Sequence, residues 1–184
     1  MDATQAMQET DQIVSGLISN LTSDHREMRT PCDEWNVHEL IEHMCSGAHG
    51  IAGGLQGQAP PEEAPDLLAN GPAAGWAEAS GHLTEAATPE ILQAMHQMPF
   101  GEVPGEAALS VIVADAATHA WDLAQATGQE LQMSDELAAF ANATWQGLVP
   151  AEDRPQPGGF KPALAASDDA SPLEQMLAFT GRQG

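Results

Sequence analysis

Glu106-Ala107-Ala108-Leu109-Ser110-Val111-Ile112-Val113-Ala114-Asp115-Ala116-Ala117-Thr118-His119-Ala120-Trp121-Asp122-Leu123-Ala124-Gln125-Ala126-Thr127, followed by Gly128, decides the fold class. Leu109, Ile112, Val113, Ala116, Ala120, Leu123 and Ala124 recur at helical spacing and form one apolar stripe. Gly128 is a natural helix stop. The spacing predicts a long helix over 106–127 that buries one face.

The same period recurs in separate blocks on either side. Ile13, Val14, Leu17, Ile18 and Leu21 mark a first helix. A second begins at Asn36, an N-cap with Glu39 in the capping-box position, and carries Leu40, Ile41, Met44, Ala48 and Ile51. Gly53-Gly54 and the Pro-rich stretch 59–65 are read as its end. A third helix runs from Pro72 through Trp76 and Leu83 to Ala87. Residues 88–105 hold prolines and glycines in Met98-Pro99-Phe100-Gly101 and Pro104-Gly105, and read as an ordered loop. A fifth helix spans Ser134 to Val149 with Leu137, Phe140, Ala141, Trp145 and Leu148 inward. Residues 150–170 read as loop, and a last short helix opens at Ser171-Pro172-Leu173-Glu174 and ends at Gly181. The expectation is a single all-α domain over 1–184: a four-helix bundle core over about 1–149, then a loop and short C-terminal helix over about 150–184.

Composition supports this class. Among 184 residues there is no Tyr and only 4% aromatics, and an Ala-rich, aromatic-poor chain favours helix over sheet. Five Lys plus Arg face 27 Asp plus Glu, a formal charge of −22. Nucleic acids and anionic membrane surfaces need a basic footprint, so neither is an expected partner. Solubility is the simplest use for the acidity. No segment approaches the ~18 consecutive apolar residues of a membrane span. The acidic start, Met1-Asp2-Ala3-Thr4-Gln5, is the opposite of a targeting peptide. A soluble, cytoplasmic protein is expected. Cys32 and Cys45 make neither a disulfide scaffold nor a four-thiolate zinc site, and both read as small core or boundary residues.

Seven histidines outnumber the five Lys plus Arg. His38-Glu39-Leu40-Ile41-Glu42-His43 is not a zinc HExxH motif. Its histidines are five positions apart, roughly 140° around a helix, where the motif needs four. Asp115 and His119 are the better pair: four apart, one turn apart on one helix face, at the edge of the apolar stripe. A carboxylate and an imidazole so placed can grip one cation, or simply form a surface ion pair. Two ligands hold metal poorly, and His43, at the edge of its own stripe, is the third candidate. Together they would form a two-His-one-carboxylate site with open positions, a pattern that suits catalysis. Gly47, Gly50 and Gly54 would either leave space beside His43 or permit close helix approach. Trp35 and Trp121 read as packing anchors; His25, His49, His82 and His96 have no evident partners. Asp122 is either a group that orients a ligand or a structural acceptor. An anionic substrate would have to find Arg26, Arg29, Arg154, Lys161 or Arg182.

Several stretches resemble one known family. Thr30-Pro31-Cys32-Asp33-Glu34-Trp35, followed by Val37-His38-Glu39-Leu40-Ile41-Glu42-His43, is similar to the entrance motif of the mycothiol-dependent maleylpyruvate isomerase N-terminal-domain family, within the DinB/YfiT-like superfamily. Pro99-Phe100-Gly101-Glu102-Val103-Pro104-Gly105, the run from His119 to Gly128, and Pro172 to Arg182 resemble segments of one actinobacterial branch. The resemblance implies a DinB-like four-helix bundle and places the family's metal ligands on His43, Asp115 and His119, with Asp115 where the family usually has Glu. The isomerases carry a second, C-terminal domain that has no counterpart in this chain. Zinc is the expected metal, with iron, nickel and manganese as other candidates. The implied cofactor or substrate is a small thiol such as mycothiol, in a metal-dependent S-transferase or isomerase that acts on an electrophile. The alternative is a non-catalytic metal- or ligand-binding protein of the same fold.

Overall fold

The structure is a computed structural model that describes residues 1–32, 35–63, 65–150, 154 and 160–183. Among these residues it is mostly helical. The helices are α1 (Ala3–Ser19), α2 (Val37–Leu55), α3 (Pro72–Ala86), α4 (Pro89–Gln93), α5 (Gly105–Thr127), α6 (Asp135–Leu148) and α7 (Pro172–Phe179), and a small hairpin, β1 (Met95–Met98) and β2 (Gly101–Pro104), precedes α5. No described helix is long and apolar enough to cross a membrane.

The helix boundaries follow their caps. Asp2 and Gln5 close a capping box, so α1 starts well before its first aliphatic run, and Ala3, Ala6 and Met7 are buried. Leu21 lies beyond its end. Asn36 and Glu39 form the expected capping box of α2, which runs through Gly53-Gly54 to Leu55. Gly128 takes the left-handed conformation at φ 66° and stops α5. Ser134 caps α6, whose buried face is Leu137, Ala138, Ala141, Asn142 and Trp145. Leu148, expected inward, is instead 52% exposed, because it is the last residue of the helix. Phe140 is only half-buried.

Helix α5 is central. It packs against α1, α2 and α6; α2 also packs against α3, and α6 against α7. Ala108, Ala114, Ala117, Ala120 and Ala124 of α5 are fully buried, which lets its neighbours approach closely. Leu40, Met44, Leu109 and Leu123 fill the space between.

One expectation needs correction. Residues 88–105 are not a plain loop. Thr88 caps the short α4 and the chain then forms the hairpin, with Met98 opposite Gly101 across Pro99-Phe100. Proline presets the backbone for the first central turn position. The strands lack an apolar alternation, since only Met98 is buried among them, so nothing in their periodicity marks them.

Of the two readings of the α2 glycines, close approach holds at Gly47 and Gly54. A Cβ on Gly47 would lie 2.8 Å from Ile112 Cδ1, and one on Gly54 would lie 2.7 Å from Met98 Sδ. Gly47 therefore admits α5 and Gly54 admits the hairpin; only Gly50 faces open space. Gly47→Leu is expected to overpack the α2–α5 contact and cost ~1–3 kcal/mol. Denaturant unfolding checks this, and a melting curve equal to wild type would show that the contact is looser than it looks.

Candidate metal centre

The site is built where α2 faces α5. Before α2, the Thr30 hydroxyl donates to the carbonyls of Cys32 at 2.9 Å and Trp35 at 2.8 Å, and Trp35 N–H returns a bond to Cys32 at 3.0 Å. These bonds hold Trp35 over His43, two turns into α2: their rings stack at 4.2 Å between centroids, 26° apart in plane. Trp35 also meets His119 edge-on at 5.6 Å. The tryptophan expected to be a packing anchor packs on the site itself.

Asp115 lies between the two histidines. Its Oδ2 is 3.3 Å from His43 Nε2 and its Oδ1 is 3.5 Å from His119 Nε2. The imidazoles meet at right angles, 5.1 Å between centroids. One donor atom from each of His43, Asp115 and His119 lies within 4.8 Å of the other two, the single such group of its kind among the described residues. The side chains grade from covered to open: His119 is 5% exposed, Asp115 20% and His43 36%. A ligand would reach the group from the His43 side.

Behind His119 is Asp122, fully buried. Its Oδ2 accepts the His119 Nδ1–H bond at 2.8 Å, while Arg182 donates from Nε to Oδ1 at 2.8 Å and from Nη2 to Oδ2 at 2.6 Å. Burial by itself would raise the Asp122 carboxyl; the bonds from Arg182 and His119 outweigh it and hold the group ionised. An ionised carboxylate can only accept, so His119 carries a proton on Nδ1 and turns the Nε2 position toward Asp115. Burial likewise opposes ionisation of Asp115, yet His119 and His43 hold its carboxyl well below the usual range. For His119, burial disfavours the charged ring, but Asp115 and Asp122 raise its pKa to about 9.

The remaining candidates, apart from Arg182, lie elsewhere. Arg26 contacts His38 at 3.1 Å. Arg154 is buried, with Nε on the Pro150 carbonyl at 2.7 Å. Arg182 is engaged by Asp122. Cys45 is fully buried with its thiol pushed up to about 12 by burial and by Glu42, so it is no thiolate donor. His49 and His82, expected to lack partners, face each other with Nδ1 atoms 3.3 Å apart. His96 Nε2 lies 2.7 Å from the Ile91 carbonyl. Arg182 was one of five interchangeable cations in the sequence; only the fold singles it out.

Comparison with known proteins gives the family. The family described as mycothiol maleylpyruvate isomerase N-terminal domain matches residues 7–124, which include His43, Asp115 and His119. The chain belongs to this family. Two Mycobacterium tuberculosis relatives, the uncharacterized proteins MT0763 and Rv0738, are each 34% identical over 182 residues, covering 99% of this chain and 98% of their own. No solved structure matches. The family match ends inside α5, so α6 and α7 lie outside it.

Proposed function

We propose that this member of the mycothiol maleylpyruvate isomerase N-terminal domain family binds one divalent metal ion, zinc first, through His43, Asp115 and His119, on a DinB-like four-helix bundle. One observation carries the reading. Asp122 holds the His119 ring at Nδ1, so its Nε2 faces the Asp115 carboxylate 3.5 Å away, and His43 Nε2 lies 3.3 Å from the same carboxylate. In the metal-free protein a proton on His119 Nε2 lies between the two groups, and a metal ion can take that proton's place. The spacing suits a metal. Asp115 Oδ2 and Oδ1 stand 3.3 Å and 3.5 Å from the two imidazole Nε2 atoms, and one donor atom from each of the three residues lies within 4.8 Å of the other two. Ligands at ~2.0–2.1 Å from one ion stand no more than ~4.2 Å apart, so the set needs only a small inward adjustment to close on an ion.

The donor set also suits the chemistry that the family description names. A bound dication supplies a Lewis acid that favours the thiolate form of a small thiol. Asp115 offsets one of its two charges and the imidazoles none, so the site keeps attraction for an anionic sulfur. Asp122, neutralised by Arg182, aims His119 rather than adding charge. The open His43 side admits the thiol, and the stacked Trp35 gives it an apolar wall. An S-transferase or isomerase reaction of that thiol with an electrophile follows as the proposed activity. Metal per chain, by elemental analysis of the purified protein, is the first test; a metal-free protein that takes up no zinc on titration refutes the site. Thiol-dependent turnover of electrophiles by the loaded protein tests the reaction. Loaded protein without turnover leaves the non-catalytic binding role.

Metal and proton compete for His119. Because its pKa is raised to about 9, the metal-free ring is protonated at neutral pH and must shed that proton on binding. Affinity is therefore expected to climb with pH until about 9, with release of about one proton per metal at neutral pH. Titration calorimetry in buffers of different ionisation enthalpy measures it, and no release would mean the ring is not a ligand.

A further inference from the structure

The C-terminal helix ends in a way that aims one side chain. Gly181 N–H donates to the Ala178 carbonyl at 3.1 Å and Arg182 N–H to the Leu177 carbonyl at 2.8 Å, the paired bonds of a Schellman stop. That stop needs a left-handed residue, and Gly181 has φ 75°. A side chain there would also strike Lys161, since a Cβ would lie 2.6 Å from Lys161 Cβ and 2.8 Å from its carbonyl oxygen. The turn is thus held from two sides. It directs Arg182 past the Phe160 ring, 5.4 Å from its centroid, onto both oxygens of Asp122. The pair is almost wholly covered: Arg182 is 8% exposed and Asp122 0%.

We infer that Arg182 is a positioning residue for the His43–Asp115–His119 site, acting through Asp122 to fix the ring of His119, and that the turn at Thr180–Arg182 is therefore part of the site. The inference rests on the metal reading above. Asp122 on its own could rotate about its last side-chain bond and meet His119 at several angles. The planar guanidinium fork grips both oxygens, at 2.8 Å and 2.6 Å, and locks the carboxylate plane. Oδ2 is then left in line with His119 Nδ1, at 2.8 Å. The ring is held at its far nitrogen, and its Nε2 faces Asp115 before any ligand arrives. The contact joins residues 60 apart in sequence, and it reaches back from a segment outside the family match at residues 7–124. A mere staple of α7 onto α5 would need none of this orientation.

Cobalt(II) added to the metal-free protein separates the two roles, because its visible bands report ligand geometry. Arg182→Met is expected to bind cobalt ~10–100-fold more weakly, with shifted bands and an unchanged helical circular dichroism spectrum. Arg182→Lys restores the charge but not the fork, and should recover part of the affinity while the bands stay shifted. Gly181→Val keeps Arg182 but displaces its turn, and should shift the bands in the same direction. Wild-type affinity and bands in Arg182→Met, with cobalt lost in Asp115→Ala, would overturn the inference and leave the metal site standing. Should Arg182→Met fail to fold, wild-type bands in both Arg182→Lys and Gly181→Val overturn it equally. Wild-type cobalt binding in Asp115→Ala would overturn the metal reading and this inference with it.

Discussion

Asp115→Ala is expected to lose most of the bound metal while its helix survives. Alanine is the best helix former, and the Asp115 side chain, 20% exposed, lies at the edge of the core rather than inside it. Its carboxylate is the one negative group placed between the two imidazoles, 3.3 Å from one and 3.5 Å from the other. Two neutral histidines cannot offset a dication in a half-covered cleft. Asp115→Asn keeps the shape and one carbonyl oxygen but no charge, so its affinity should fall between wild type and Asp115→Ala. Asp115→Glu restores the carboxylate that the family resemblance leads one to expect at this position and should retain metal. Metal per chain and dissociation constant, at one fixed pH because protons compete for the ligands, decide the order. Wild-type metal content and affinity in Asp115→Ala would remove Asp115 from the ligand set and break the proposed site.

The parts of the site that were legible in the sequence are those set by local periodicity. Asp115 and His119 share a helix face because they are four apart on α5, and the stripe around them is long enough to orient that face without knowledge of the fold. His43 could be oriented in the same way on α2, since the Asn36–Glu39 capping box fixes where that helix starts. That the two faces meet was inferred from the bundle pattern and the family resemblance, and their donor atoms do lie within 4.8 Å. Contacts that depend on tertiary structure were not legible. Whether Gly47 makes a hole or a close approach depends on Ile112, which reaches to 2.8 Å of where its Cβ would lie. The hairpin at Met95–Pro104 is held by a two-residue turn and one buried Met, too little for a periodic signal. The partner of Asp122 could not be chosen among five cations, because the selection is made by the turn after α7 and not by spacing within α5.

Removing that partner relation should produce the largest loss of stability. Asp122→Ala leaves the Arg182 guanidinium, 8% exposed, without its carboxylate and withdraws the acceptor from His119 Nδ1. Truncating one side of a buried ion pair costs ~3–5 kcal/mol, mainly because the other charge remains buried and unmatched. Against the ~5–15 kcal/mol that holds a typical domain together, this is enough to lower the melting temperature steeply. Removing both charges behaves differently. Replacing a buried pair by apolar side chains of similar size is often neutral for stability, so Asp122→Leu combined with Arg182→Leu should recover much of what Asp122→Ala loses. The stability of the double variant and the two single variants, taken as a cycle, isolates the coupling between the two groups. A stable double variant that still binds zinc weakly would show that the pair serves the orientation of His119 as well as the docking of α7. An Asp122→Ala protein that melts within ~0.5 kcal/mol of wild type, as a change at an ordinary surface position does, would mean that Arg182 does not depend on this carboxylate in solution.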